Sequence, residues 1–512
     1  MREGATRRQF LKLAGAAGAA TGFGGLSFLG KLPAVSAQQA RLNPARVVLD
    51  GSIAPLVKLL EDTPREQVLE RVAERIRSGT TYQEVVTALF LAAIQNISPR
   101  PTLGFKFHGV LVIHASHLAS MASPDAGDRW LPILWAVDSF KAAQIMEQKG
   151  AHWQMAALNE SAVPAPHLAR EAFIDAMEKW DDVRADAAVV GLVRSAGANE
   201  IADLLYRYGT RDYRSLGHKS IFVAHGWRLL QVIGWQHAET VARALVYACL
   251  AHDVKGSTPD RADSPLDRSW RRNVPLAKAM RADWMEGKLD DGATRELLAV
   301  FRKGSNDEAS DLAAEVIRRG VSPQSVWDAI HCGAAELLLR QPGILALHAV
   351  TAADGRRHAF QTCGDDNTRK LLLLQNAAFI PMYREQMTAG GLGSVKKLGE
   401  APIDTMQSEP GATVDEIFRE ISKDRKSATR KLAGYLDQGG DLRELMNTTR
   451  RLIFLKGSDH HDYKFSGSVF EDYGKISPQW RNRFLATAAC YFRGSGDKNI
   501  PLVDKIRAAL NA

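Results

Sequence analysis

The sequence predicts an all-α protein, a large multi-helical single domain whose candidate site lies between helices. Apolar residues recur at spacings of three and four along most of the chain, for example at Leu229, Ile233, Ala238 and Val241. Such spacing places them on one face of a helix. Alternating runs of Val, Ile and Thr, which a β-sheet would require, are almost absent, and residues 46–49 form too short a run to matter.

Residues 1–37 have the pattern of a twin-arginine signal peptide. An arginine pair, Arg7 and Arg8, is followed by a weakly apolar stretch with six glycines between Gly15 and Gly30, and small residues lead up to Ala37. We expect cleavage after Ala37 and export of the folded protein by the twin-arginine translocation machinery, to the periplasm or the medium. The stretch has too few Leu, Ile and Val residues to hold a helix in lipid, so no stable membrane anchor is expected after cleavage.

The remaining residues, 38–512, are expected to form one helical domain. Two segments have the composition of loops, residues 256–275 and residues 390–413, and the second is the better candidate for a boundary within the domain. The formal net charge is +8, of which the signal segment carries four charges. The other four are spread over about 475 residues, too thinly to indicate nucleic-acid binding.

Several common chemistries lack their motifs in this chain. The four cysteines, Cys249, Cys332, Cys363 and Cys490, form no Cys-x-x-Cys pair for zinc or thiol redox chemistry and no haem-attachment motif. We expect them to be buried free thiols, because the protein would fold before it leaves a reducing compartment. A Gly-x-Ser-x-Gly elbow and a phosphate-binding loop are also missing, which argues against acyl transfer and nucleotide hydrolysis.

Histidines within apolar helical segments are the best candidates for function. His108, His218 and His348 have largely apolar neighbours, and His461 is followed three residues later by Lys464, on the same face of a helix. Buried imidazoles need partners, and several together satisfy one another by sharing a metal ion such as iron, copper or zinc.

Other interpretations of these histidines stay open. Each histidine can instead be a core residue that hydrogen-bonds a backbone carbonyl. Other residues in apolar segments are alternative candidates for metal ligands. His225 or His237 can take the place of His218, and the further candidates are His114, His117, His331, Asp138 and Glu239.

The same segments resemble the questin-oxidase-like family. The similar pieces are residues 107–111, Gly217-His218 with the helix after it, residues 347–351, and Asp459-x-His461-x-x-Lys464, in the order that the family has them. The resemblance implies a helical oxygenase that opens aromatic rings of anthraquinone-type compounds with dioxygen. It also implies a non-haem iron held by His108, His218, His348, His461 and a carbamylated Lys464. The export signal and the added length at residues 256–275 and 390–413 depart from the family pattern.

We therefore expect an exported non-haem iron oxygenase or oxidoreductase that acts on an aromatic or quinone-like small molecule. Trp135, Trp227 and Trp235 lie near the relevant helices in sequence and are candidates for positioning the ring. Two alternatives are a non-catalytic helical binding protein and a zinc hydrolase that uses the same histidines.

Overall fold

The computed structural model describes residues 53–99, 105–150, 152–252, 264–390 and 394–511. These residues form 22 α-helices and no β-strand, with a single isolated bridge between Lys288 and Val321. The predicted all-α, multi-helical single domain is therefore confirmed. The predicted signal peptide, residues 1–37, lies outside the described residues.

The helices follow one another along the chain with mostly short connections. The first eleven are α1 Ala54–Asp62, α2 Arg65–Arg77, α3 Tyr82–Asn96, α4 Phe105–Met121, α5 Trp130–Gln148, α6 Ala169–Glu178, α7 Asp182–Ser195, α8 Ala198–Gly209, α9 His218–Ile233, α10 Ala238–Cys249 and α11 Pro265–Ala279. The others are α12 Asp291–Lys303, α13 Asn306–Arg318, α14 Pro323–Arg340, α15 Ile344–Thr362, α16 Asp366–Gln386, α17 Val414–Ile421, α18 Arg425–Asp437, α19 Leu442–Lys456, α20 His460–Tyr473, α21 Pro478–Ala486 and α22 Pro501–Asn511.

Helix starts follow from capping residues in the sequence. The Thr81 side chain accepts a hydrogen bond from the Glu84 amide while the Glu84 carboxylate accepts from Thr81, which is a complete capping box at α3. At α14 the Ser322 hydroxyl accepts from the Gln324 amide, and Pro323 occupies the first turn, where its missing N–H costs nothing. These local bonds satisfy amides that the helix itself leaves unpaired.

One of the two predicted loops is wrong in its second half. Residues 265–279 form helix α11, whereas a loop was expected through residue 275. Ser264 caps the helix by accepting from the Leu266 amide, and the buried Trp270 holds one face of it in the core. The loop was predicted from composition, but the basic residues of α11 lie on the exposed face of this amphipathic helix, which also contains Pro275. Residues 394–413 contain one short 3₁₀ turn, Ile403–Thr405, and no α-helix.

Four helices at the centre, α4, α9, α15 and α20, run in the same direction. Along α4 and α9, His108 contacts His218 and, further on, His114 contacts His225. Along α15 and α20, His348 contacts Lys464 and, further on, Asp354 contacts Ser468. The remaining helices cover this group; α3 is apolar on nearly every face and has ten consecutive buried residues, 85–94.

Two further properties concern the whole described fold. None of its helices combines the length and the apolar character that crossing a membrane requires. All four cysteines are free and buried, which confirms the prediction made for them.

Candidate metal centre

Three histidine side chains meet inside the protein, where the first turns of α9, α4 and α15 come together. The Nε2 atom of His218 lies 3.0 Å from Nε2 of His108 and 2.9 Å from Nε2 of His348. The three residues are buried, with at most 5% of their surface exposed. They form the one group of metal-ligand type, with atoms within 4.8 Å of one another, among the residues that the structure describes.

The other two predicted residues, both on α20, lie beside this group. The ring centroid of His461 is 4.5 Å from that of His108 and 5.1 Å from that of His348. The Lys464 amine lies 3.3 Å from Nε2 of His348. The structure thus brings together all five side chains that the sequence and the resemblance singled out.

Neighbouring acceptors fix how two of the imidazoles present their nitrogens. Nδ1 of His348 lies 2.7 Å from the Ile344 carbonyl, which only accepts, so Nδ1 carries the proton and Nε2 carries the lone pair. Nδ1 of His461 lies 2.5 Å from a carboxylate oxygen of Asp459 in the same way. Its Nε2 is buried and has no hydrogen-bond partner among the described residues. Both rings therefore direct lone pairs as metal-binding imidazoles do.

Hydrogen bonds within the group satisfy it only in part. Nε2 of His218 faces two other Nε2 atoms, and one proton on it can be donated to only one of them. The Lys464 amine can donate to Nε2 of His348, whereas Nε2 of His461 has no hydrogen-bond partner among the described residues. A bound cation accepts all of these lone pairs at once, so the set of donor atoms fits a cation.

Burial keeps these groups in their neutral forms. Loss of hydration lowers the pKa of His218 and His348 well below the usual value, and the nearby Lys464 lowers both further. The same burial lowers the pKa of Lys464 to about 7, against a weaker opposing effect of Asp459. A lysine amine with this pKa is uncharged in about half of the molecules at neutral pH, and the uncharged form can act as a nucleophile or a ligand.

The four helices all begin at this cluster. His218 and His460 are the first residues of α9 and α20, and His108 and His348 follow within the first turn or so of α4 and α15. A helix N-terminus carries a partial positive charge of about half a unit, so four of them disfavour further cations and favour an anion. A metal ion here needs a negatively charged ligand to offset this field.

A left-handed turn places His218 at the start of α9. Ser215, Leu216 and Gly217 all have positive φ angles, of 54°, 57° and 78°. For the two non-glycine residues this conformation costs about 1–2 kcal/mol each. The Tyr383 hydroxyl donates to the Leu216 carbonyl at 2.7 Å and holds the turn in place. A Cβ at residue 217 would lie 2.8 Å from the Cβ of Ala352, so only glycine fits between α9 and α15.

Sequence reasoning missed His460 and Ser139, which lie beside the cluster, but it did single out Trp135. His460 lies next to the cluster, with its Nε2 atom 2.5 Å from the Ser139 hydroxyl and its ring 6.0 Å from His108. Trp135 packs against His460 at 5.4 Å between ring centroids, so it is the tryptophan beside the cluster. The His-His pair and the cap Asp459 were visible in the sequence, but only the fold shows that they face α4 and α5.

The other candidate residues lie elsewhere. Trp227 and Trp235 pack on each other near the end of α9, about 13 Å along the helix from His218 by helical rise. His225 faces His114 instead of the cluster, with 4.5 Å between ring centroids. The remaining alternatives have partners outside the cluster: His117 with Tyr82, His331 with Asp472, Asp138 with Arg65, and Glu239 with Arg194. His237 precedes α10 and is buried.

No known protein family matches this chain, and no curated protein or solved structure is similar to it.

Proposed function

We propose that the protein is a non-haem iron oxygenase whose metal is held by His108, His218, His348, His461 and a carbamylated Lys464, acting on an aromatic or quinone-like compound. The observation that carries the proposal is the convergence of three buried Nε2 atoms at 2.9 and 3.0 Å, with Lys464 beside them. The resemblance of the same segments to questin-oxidase-like proteins supplies the reaction class.

The resemblance selects iron among the metals that imidazole ligands suit. The separations of 2.9 and 3.0 Å between Nε2 of His218 and its two neighbours are those of hydrogen-bonded imidazoles, and such a set of ligands suits iron, copper and zinc alike.

Carbamylation of Lys464 supplies the negative charge that the site otherwise lacks. The neutral amine attacks carbon dioxide, a C–N bond forms, one proton leaves, and the lysine becomes an anionic carboxylate. An ammonium group cannot bind a cation, but this carboxylate can. The four converging helix N-termini stabilise the same anion. The proposal therefore accounts for a buried lysine with a pKa of about 7 among four histidines.

Residues of the chain itself would have distinct roles at this site. His348 and His461 offer fixed lone pairs because the Ile344 carbonyl and the Asp459 carboxylate hold their Nδ1 protons. Trp135 is buried and packs against His460 and Tyr463, so it would support the His460 side of the site. Non-haem iron, when bound by such a ligand set, supplies the one-electron chemistry that dioxygen requires.

Metal analysis of the protein tests the proposal directly. Full-length protein made without a histidine tag should contain about one equivalent of iron after aerobic purification with iron in the medium. Less than about a tenth of an equivalent of any transition metal would overturn the proposal and favour a non-catalytic binding protein. Two findings together would favour the hydrolase alternative: the purified protein contains zinc in place of iron, and the metal-free protein does not take up iron when iron is offered.

The modified lysine has its own test. Protein equilibrated with ¹³C-labelled bicarbonate should show one carbamate carbon signal in the NMR spectrum, and the Lys464→Met variant should lack it. Lys219→Met is the matched control, because Lys219 is equally buried but is paired with Asp212. A carbamate signal that persists in Lys464→Met would overturn the assignment of this ligand.

Oxygen consumption tests the reaction class. The iron-loaded protein should consume dioxygen when offered hydroxylated anthraquinones and should give products that contain one or two oxygen atoms more than the substrate. The Lys464→Met variant should consume none above background.

A further inference from the structure

Two of the four central helices, α15 and α20, carry buried polar residues beyond the histidine cluster. On α20, His461 and Lys464 are followed by Ser468 and Asp472 at helical spacing, all buried on the face toward α15 and α14. On α15, His348 is followed by Thr351 and Asp354 in the same way. Helices that meet at the centre of a protein normally contact one another through apolar faces. These buried polar residues, called the polar stripe below, therefore need another explanation.

The far end of this stripe is a network of charged groups that reaches the surface. Asp354 accepts hydrogen bonds from the Lys475 amine at 2.9 Å and from the Ser468 hydroxyl at 3.0 Å. Lys475 also lies 3.4 Å from Asp472, and its side chain is 16% exposed. Beside them Arg228 donates to Glu471 at 2.9 Å, and the Glu471 side chain is 27% exposed. This end therefore meets solvent.

Between the metal centre and this network, three buried polar atoms have no partner among the residues that the structure describes. They are the Thr351 hydroxyl, Nδ1 of His225 and Nδ1 of His114, on residues that are at most 4% exposed. Each such atom costs about 1–3 kcal/mol when it is buried without a hydrogen bond. Internal water is the usual partner of buried polar atoms of this kind.

Along the helix axes, the unpartnered atoms lie between the histidine cluster and the charged network around Asp354. By helical rise, Thr351 lies about 4.5 Å beyond His348 on α15, and Asp354 about 9 Å beyond it. His225 lies about 10 Å beyond His218 on α9 by the same measure. The charged groups that act on His225 come from α9, α15 and α20, namely Arg228, Asp354 and Lys464, and the His114 ring on α4 faces it.

We infer that the stripe from Thr351 and His225 to Asp354 and Glu471 binds a row of internal water molecules and conducts protons between solvent and the metal centre. This inference rests on the proposed function, since it gives the stripe a role in serving that centre. An excess proton moves along the row as one O–H bond breaks and the next forms. His225 stays neutral, and its Nδ1 lone pair accepts a hydrogen bond from one of these waters and so holds that water in the row. No electron is transferred, and the row returns to its starting charge.

The arrangement of the centre shows why a second route is useful. The first turns of the four helices form one side of it, where His461 and His108 keep 8% and 5% exposure. An apolar substrate bound on that side would exclude water from it. The polar stripe leaves from the opposite side, along the helices, so it stays open while substrate is bound.

High-resolution crystallography of the metal-free, full-length protein tests the water sites. Ordered waters should lie within hydrogen-bond distance of the Thr351 hydroxyl and of Nδ1 of His225. The Thr351→Val variant keeps the side-chain shape and should lose the first of these waters. A dry stripe in the wild-type protein would overturn the inference.

Proton release on metal binding tests conduction. Co²⁺ is mixed with metal-free protein in a weak buffer that contains dissolved carbon dioxide, so that carbamylation of Lys464 releases one proton as the ion binds. The visible absorbance of Co²⁺ and the colour of a pH indicator are followed together. In the wild type the two signals should coincide. In His225→Gln and Thr351→Val the proton should appear at least fivefold later than the absorbance change, and small diffusible imidazole should restore the rate.

A matched control uses another buried helical threonine. The Thr87 hydroxyl donates to the Gln83 carbonyl at 2.7 Å, far from the stripe, so Thr87→Val should leave both signals coincident. Equal proton release in wild type, His225→Gln and Thr351→Val would overturn conduction. Failure of Co²⁺ to bind any of the proteins would overturn the proposed function instead, and the crystallographic waters would then decide the inference alone.

Discussion

Among the residues that the structure describes, two lysines are completely buried, and their surroundings differ in kind. Lys219 and Lys464 are 0% and 1% exposed. The Lys219 amine lies 2.7 Å from a carboxylate oxygen of Asp212 and 3.1 Å from the Cys249 carbonyl, and it also faces the Trp180 ring. The Lys464 amine has only Nε2 of His348 at 3.3 Å, with no carboxylate within 4 Å among the described residues. Lys219 is a cation paired with a carboxylate, whereas Lys464 has no such partner and loses its proton more easily.

The contrast is sharpest at the start of α9, where neighbouring residues belong to the two clusters. His218 points to the histidine cluster, and Lys219, the next residue, points to Asp212. Arg214 has a carboxylate partner too, Asp267 at 2.7 Å, whereas the buried Lys141 and Arg356 have uncharged oxygen acceptors. Each of these cations thus has an oxygen acceptor, and the Lys464 amine has none among the described residues. The histidine cluster around it is suited to a cation from outside the chain.

The largest expected effect is loss of the metal from the cluster. His348→Ala removes the imidazole that contacts both His218 and Lys464, so metal content should fall from about one equivalent to below a tenth. Far-UV circular dichroism should show unchanged helicity, because the substitution is to a good helix former. His358→Ala, on the same helix and outside the cluster, is the control and should keep its metal. Retention of metal by His348→Ala would refute this ligand assignment.

The sequence predicted the helices and the five clustered side chains, but only part of their setting. Helical spacing and caps are local signals, so Ser322-Pro323 and the pairing of His461 with Lys464 on one face were readable. The approach of four helices from the same direction, and the pairing of His225 with His114, depend on contacts between distant segments. The left-handed turn at Ser215 and Leu216 has no sequence signal, because neither residue type favours it.

The pH dependence of stability should separate the two lysines. The pKa of Lys464 is about 7 in the folded protein, against 10.5 for a lysine exposed to water, as in the unfolded chain. Between these values the unfolded chain binds more protons, so the free energy of unfolding of metal-free protein rises with pH. Three pH units correspond to about 4 kcal/mol as an upper figure.

Denaturant unfolding from pH 7 to pH 10, under carbon dioxide-free conditions, measures this rise. Wild type should gain stability relative to Lys464→Met across the range, because the variant lacks the titrating amine. Parallel curves for the two proteins would contradict the description of Lys464 as a buried neutral base.

Replacing each lysine by methionine should change stability in different ways. Lys219→Met leaves the Asp212 carboxylate buried, with Arg214 at 3.8 Å as its remaining partner, and should cost about 3 kcal/mol. Lys464→Met removes an amine that no carboxylate pairs with, so stability of the metal-free protein should stay equal or rise by up to about 2 kcal/mol. Guanidinium unfolding at pH 7 measures both. A larger loss in Lys464→Met than in Lys219→Met would reverse the comparison.

The smallest expected effect is on metal affinity, and it comes from Asp459, which orients His461. Asp459 accepts from Nδ1 of His461 and also caps α20 by accepting from the His461 amide at 2.8 Å. Asn caps a helix as well as Asp does, so Asp459→Asn keeps the helix start but removes the charge that orients the ring. Loss of such a supporting carboxylate lowers metal affinity by about 10- to 100-fold. Competition with a chelator measures the affinity, and Asp441→Asn, the same change at the cap of α19, should leave it unchanged. Equal affinities for Asp459→Asn and wild type would show that His461 is held by packing alone, or that it does not bind the metal.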